Sequence, residues 1–142
     1  MIEKATSSIR LESIFLSETI FNRGNDLEKD SIDDYGMQVG LNSIDRDDVI
    51  QTTVTVELGK NSNPNAFYMK VAMVGIFRKK GETPLTDNEF KNVNAPAIIY
   101  PYIRQHIRSL SLDATIKPIL LPLVNFQKLY EHNKKRNVNT KS

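Results

Sequence analysis

Along residues 51–58, apolar and polar positions alternate without a break. Thr52, Val54, Val56 and Leu58 fall on one side, and Gln51, Thr53, Thr55 and Glu57 on the other. A period of two predicts a strand with one buried and one wetted face. Upstream, residues 8–21 are rich in β-branched and aromatic side chains, but their apolar parity switches near Ser13, from Ile9 and Leu11 to Ile14, Leu16 and Ile20. That switch predicts a long strand carrying a bulge. Met37, Val39 and Leu41 alternate with Gln38, Gly40 and Asn42 as a short strand, and residues 66–77 form another that is apolar on both sides except at Lys70. The stretches 22–34 and 59–65 are polar and turn-forming, and connections this short favour antiparallel pairing.

Beyond residue 78 the period changes. Residues 78–84 break the strand pattern, and 85–91 read as a loop or a single helical turn. Asn94 is positioned as an N-cap with Pro96 in the first turn. Ile98, Ile99, Tyr102, Ile103, His106, Ile107 and Leu110 then recur at three- and four-residue spacing. An amphipathic helix of about four to five turns follows. Pro101 inside it removes a backbone donor and is expected to kink or divide it. Pro118 and Pro122 exclude regular helix or central strand from residues 117–126. Asn125 caps a final short helix, with Phe126, Leu129 and Tyr130 on one side. The expected architecture is α+β: a four-stranded antiparallel sheet, a long kinked helix packed on one face, and a short C-terminal helix. One domain is expected over residues 1–132, followed by a disordered basic tail at 133–142.

Composition removes several functions. The 142 residues carry 19 basic and 17 acidic side chains, a formal net charge of +2 that provides no dense positive field for phosphates. The basic clusters Arg78, Lys79, Lys80 and Lys134, Lys135, Arg136 have no aromatic platform beside them, so nucleic acid is not an expected partner. The absence of cysteine removes disulfides, thiolate nucleophiles and cysteine metal ligands. No stretch approaches the roughly 20 apolar residues of a membrane span, and the N-terminus lacks an uninterrupted apolar run, so a soluble cytoplasmic protein is expected. The only histidines, His106 and His132, are 26 residues apart, one on the amphipathic helix and one at the start of the tail. Asp45, Asp47 and Asp48 lack calcium-loop spacing, and no catalytic motif occurs. Neither an enzyme nor a metal or other cofactor is expected.

A positive indication comes from particular segments. The strand ending Gly75-Ile76-Phe77, the helix containing an apolar pair, Tyr100, Pro101, Tyr102 and Arg104, the crossover LPLVNF at 121–126, and Leu129 with Tyr130 occur in one order. In that order they resemble the SecB family of export chaperones. The resemblance is strong over 75–130 and collinear but weaker over 9–67. It implies a homotetramer built as a dimer of dimers, with Tyr102, Ile103, His106, Ile107 and Leu110 of the long helix at the oligomer interface. It also implies an ATP-independent holdase that carries unfolded or non-native polypeptide clients in apolar grooves. Such a binder needs exposed apolar area and adaptable side chains rather than a shaped polar cavity. By the resemblance, Met37, Val39, Leu41, Phe126, Leu129 and Tyr130 are the main client-binding candidates, with Phe15, Ile76 and Phe77 secondary.

One departure qualifies the resemblance. SecB proteins that deliver clients to the motor SecA dock its basic tail on acids of the outer sheet face. Here Glu18 keeps one acid, while Asn22 and Lys70 stand where acids are expected. A cation in place of an anion reverses such a contact, and the sequence pI of about 8.8 points the same way. Delivery to SecA is therefore not supported. The alternative is a SecB-like chaperone dedicated to one partner, such as an antitoxin.

Overall fold

The computed structural model describes residues 9–24, 36–59, 67–80 and 87–141, with side chains given through residue 134 except at 87. Of the connections expected at 22–34, 59–65 and 78–84, residues 25–34, 60–65 and 81–84 lie outside the described residues. Four strands, β1 (Ile9–Asn22), β2 (Met37–Arg46), β3 (Val49–Gly59) and β4 (Tyr68–Lys79), form one antiparallel sheet in the order β1-β4-β3-β2. β2 and β3 are joined by a tight hairpin at Asp47-Asp48, since Arg46 pairs Val49. Asp47 there takes φ 55, a left-handed conformation that Asp tolerates better than most residues. The register of β1 on β4 slips at two places, between Leu11 and Ser13 and between Leu16 and Glu18. The first is the bulge that the parity switch predicts, and the second escapes a simple apolar count because Glu18 and Thr19 are both polar.

The alternation of β3 becomes a one-sided core. Ile50, Thr52, Val54, Val56 and Leu58 are all fully buried, and their β4 partners Phe77, Gly75, Met73, Val71 and Met69 continue that face. The helix α1 (Ala95–Asp113) lies on it, with Ile99, Ile103 and Ile107 at four-residue spacing and fully buried. Each buried isoleucine contributes about 1.5–3 kcal/mol relative to an exposed one. Gly75 sets the depth of this seat. A Cβ at that position would stand 2.9 Å from Ile99 Cδ1 and 2.8 Å from Phe77 Cε2.

The entry to α1 differs from the expectation at Asn94. A helical turn at Asp87–Glu89 and a π-helical turn at Phe90–Asn94 lead into α1 without a break, and Asn94 is itself helical with no side-chain cap. The residues before it have their own anchor, since Phe90 is buried edge-on against Phe77 at 5.0 Å, so chain packing rather than a cap decides the boundary. Pro101 does not divide the helix, which runs through it. The flanking Ile99, Tyr100 and Ile103 are buried and hold both sides of the lost bond in place.

α1 ends where Thr115 adopts φ 55, with Thr115 N–H bonding Leu112 O and Ile116 N–H bonding Ser111 O. This is the Schellman closure, completed by the buried Ile116. After the crossover at 114–125, Asn125 Oδ1 accepts from Lys128 N–H at 3.0 Å and caps the helix α2 (Phe126–Lys141), as expected. α2 runs past its expected end near Asn133, and its exposed side carries the local pairs that sustain a polar helix. Gln127 bonds Glu131 at 3.1 Å, and Lys134 sits 4.7 Å over the Tyr130 ring.

Gly75→Ala is expected to lower stability by about 1–3 kcal/mol, because the added Cβ would force the buried Ile99 and Phe77 side chains to shift. A urea midpoint equal to that of the unsubstituted protein would refute this account of the seat.

Candidate functional site

The sheet and crossover place the sequence-predicted residues in separate environments. Met37, Val39 and Leu41 of β2 pair Leu58, Val56 and Val54, so they share the helix side of the sheet. They stand half-buried at its rim, packed against the core. Leu129 reaches the same core from α2, and Tyr130 beside it is half-buried under Lys134. α2 packs on the π turn, whose Lys91 Nζ donates to Asp45 Oδ2 at the far end of β2. β2 and α2 are thereby joined through one short segment.

Phe126 and Phe77 do not stand on the surface. Phe126 is 4% exposed and packs edge-on against Tyr100 at 5.7 Å, and Phe77 is 1% exposed against Phe90. Both are core, because each closes an aromatic pair that anchors a helix end. Phe15 and Ile76 lie on the outer face of the sheet, opposite to β2's apolar row, so the candidate set is not one continuous surface. Among the long-helix candidates, Ile103 and Ile107 are spent on the sheet, whereas Tyr102 is exposed and Leu110 half-buried. His106 lies 3.0 Å from Thr19 Oγ1 of β1, tying the helix to the sheet edge.

The crossover supplies apolar exposure that the sequence does not reveal. Ile116, Ile119 and Leu121 turn inward, while Leu120 is 67% and Leu123 85% exposed. After Lys117 the run PILLPL at 118–123 is apolar throughout, so no periodicity separates inside from outside, and only the prolines signal irregular backbone. Three anchors hold it. Tyr100 Oη donates to Pro122 O at 2.7 Å, Arg104 Nε donates to Leu121 O at 3.1 Å, and the buried Ser111 Oγ donates to Ile107 O and accepts from Ile119 N–H. These bonds satisfy the carbonyls of Leu121 and Pro122 and the N–H of Ile119, which proline-interrupted backbone could not place in a ladder. Leu112, at the end of α1, is also exposed.

The outer sheet face carries Glu18, Asn22 and Lys70 together, as expected. Lys70 Nζ is 3.1 Å from Glu18 Oε1, and this hydrogen bond raises the lysine pKa above its ordinary value. At the other end of the face, Arg78 Nε donates to Glu12 at 2.6 Å, with Arg10 alongside at 3.5 Å, and holds the Glu12 carboxyl below its usual range. What that pair contributes is present above the ordinary carboxylate pKa and lost as pH falls through the lowered one. Tyr68 Oη donates to Glu57 at 3.0 Å, and burial foremost pushes the phenol upward. Among the described residues, no group of three or more acidic or histidine side chains is arranged to hold a metal. No described helix is long and apolar enough to cross a membrane.

The fold, a four-stranded sheet with helices on one face, is shared with solved structures. The SecB-like chaperone Rv1957 of Mycobacterium tuberculosis, solved with a ChAD peptide from the HigA1 antitoxin, superposes with a TM-score of 0.67 at 14% identity, over 87% of this chain and 92% of that one. A Streptococcus agalactiae protein of unknown function superposes with a TM-score of 0.52 at 13% identity, over 83% and 99% of the two chains. In sequence, the family described as preprotein translocase subunit SecB matches residues 9–137, and the chain belongs to the SecB family. The protein-export protein SecB of Saccharophagus degradans is 34% identical over 82 residues, 58% of this chain and 48% of its own length. That of Albidiferax ferrireducens is 24% identical over 137 residues, 92% of this chain and 88% of its own. Against the Saccharophagus protein and its Azoarcus counterpart, the chain spans about half the relative's length.

Tyr100→Phe keeps the ring against Phe126 and removes the donor to Pro122 O. It is expected to cost about 0.5–1.5 kcal/mol. Urea denaturation showing no loss would mean that the crossover is not held by this bond.

Proposed function

We propose that the protein is a non-enzymatic, ATP-independent holdase that binds unfolded or non-native polypeptide. The observation that carries this is the crossover, which displays Leu120 and Leu123 on backbone pinned by Tyr100 and Arg104. A lone exposed leucine is ordinary on a protein surface, but large apolar side chains displayed close together on fixed backbone mark a place for a partner. Met37, Val39, Leu41 and Leu129, half-buried against the core, and Tyr130, half-buried under Lys134, offer further apolar area, and family membership supports the same reading. Assembly as a dimer of dimers accounts for further apolar exposure: Tyr102 and Ile98 on α1, and Leu11, Phe15, Leu16 and Ile20 on the edge strand β1.

A second reading concerns the receiver of the client. The acid that would greet the cationic tail of SecA, Glu18, is already paired with Lys70, so a basic segment meets a self-neutralised face. This favours a role independent of SecA, in which the chaperone serves a dedicated partner such as an antitoxin. The Mycobacterium tuberculosis neighbour, solved with an antitoxin peptide, supports the same alternative.

The purified protein is expected to suppress aggregation of a chemically unfolded model client at equimolar subunit ratio without ATP. Light scattering that rises as fast as in its absence would defeat the holdase reading. Changing Leu120 and Leu123 together to Asp is expected to weaken client binding about tenfold or more while leaving the far-UV spectrum intact, since both side chains are exposed in the subunit. A basic SecA-tail peptide is expected not to bind at micromolar concentration, and Lys70→Glu to create binding that salt abolishes. Micromolar affinity of the unsubstituted protein would restore SecA as the partner.

A further inference from the structure

The strand registers gather three arginines at one end of the outer sheet face. Arg46 pairs Val49, Val49 pairs Arg78 and Arg78 pairs Arg10, so these four form one row across all four strands. Their chain neighbours Ile50 and Phe77 are buried on the helix side, and alternation turns the row away from the core. Ile44, Gln51 and Ile76 form the next row on the same face.

Like charges placed opposite one another repel. Between Arg10 and Arg78 that repulsion is relieved by Glu12, which the bulge between Leu11 and Ser13 brings within reach of both. Its Oε1 lies 2.6 Å from Arg78 Nε and 3.5 Å from Arg10 Nη2. Arg46 is exposed and stands about 10 Å from Arg78, two strand spacings away. Among the described residues, no ion pair reaches it. Asp45 beside it is on the opposite face and is engaged by Lys91. Asp47 and Asp48 occupy the turn, where the charge of Asp48 acts on Arg78. Counted with Lys79 and Lys80, this end of the sheet holds five cations against Glu12, Asp47 and Asp48, a surplus of two. At Glu57, roughly 26 Å further along β3, Lys70 stands against Glu57 and Glu18, a surplus of one acid.

Apolar surface lies among the arginines. Ile44 is 42% exposed, and Val49 and Ile76 are half-buried. Guanidinium groups match carboxylates in a two-pronged fork. The apolar side chains favour a polypeptide over a uniformly charged polyphosphate, and neither row offers a ring on which a base could stack. We propose that this corner docks an acidic segment of a partner protein. Its carboxylates meet Arg46 and the Arg10–Arg78 pair, and an apolar side chain between them covers Val49 and Ile44. The corner lies far from Glu18 and Lys70 and on the opposite side of the sheet from the crossover, so the proposal does not rest on the holdase reading.

The test uses a fluorescent peptide in which two glutamates flank a leucine, titrated into the full-length protein at low salt beside versions carrying glutamine or lysine. The glutamate peptide is expected to bind at least fivefold more tightly than the glutamine one, and salt to erase the difference. Arg46→Glu is expected to lose about fivefold or more and to gain affinity for the lysine peptide. Lys134→Glu, which changes net charge equally on α2, is expected to lose less than twofold. Equal binding of the glutamate and glutamine peptides, or equal losses in the two variants, overturns the proposal. The double change of Leu120 and Leu123 to Asp is expected to leave this affinity unaltered, and a loss there would place the peptide on the crossover instead. A single-stranded oligonucleotide that displaces the peptide at lower concentration than unlabelled peptide does would assign the corner to nucleic acid and overturn the proposal. So would a changed sedimentation coefficient of Arg46→Glu alone, which would assign it to a second copy of the chain.

Discussion

The close seat of α1 on β4 is the contact from which the rest of the structure is hung. Because Gly75 has no side chain, Ile99 descends onto the strand, and Ile103 and Ile107 follow at successive turns onto the fully buried row of β3. Phe90 against Phe77 fixes the incoming end of the helix. The outgoing end is fixed by the closure at Thr115, a β-branched residue in a left-handed conformation that only firmly determined surroundings sustain. With both ends set, Tyr100, Arg104 and Ser111 project along one flank and hold the crossover by its backbone.

Among the described residues, both helices and the crossover stand on one side of the sheet, and none is stacked on the other face. That face is kept satisfied by threonines on β3 and by ion pairs across β1 and β4, rather than by a second core. Exposed pairs of this kind contribute little to stability. Their consequence is electrostatic. With Lys70 on Glu18 and Arg78 on Glu12, the acids are not available to an arriving cation without first losing a partner, so the chemistry of the face differs from that of a bare acidic surface.

The strand pattern was legible because burial on one side of a sheet writes itself as a period of two, and Thr52 to Leu58 obey it without exception. Both bulges follow from the same logic, yet only the one flanked by apolar residues leaves a visible parity switch. The helix start was misplaced at Asn94 because a cap is a local signal, and here the aromatic pair of Phe90 with Phe77 outweighs it from a strand well upstream. Family resemblance could bring Phe126 and Leu129 into one candidate set. It could not say that one fills the core and the other stands at its rim, since that depends on Tyr100 across the interface between helix and crossover. Leu120 and Leu123 were illegible for a simpler reason: in an all-apolar run, sequence carries no inside and outside.

Why those two leucines face water is a matter of geometry rather than of weak packing. Ile119 and Leu121 occupy the core on either side of Leu120, and backbone extended enough to bury both must turn the residue between them outward. Pro118 and Pro122 offer no N–H for a ladder, so the crossover cannot escape this arrangement by joining the sheet or by coiling onto α1. Tyr100 and Arg104 then spend their donors on the carbonyls at 121 and 122, which removes the slack by which Leu123 could roll inward. The exposure is therefore built from the same contacts that stabilise the fold, and cannot be relieved within the chain without undoing them. A surface of that kind is available before any partner arrives, and its ordering cost is already met by the fold.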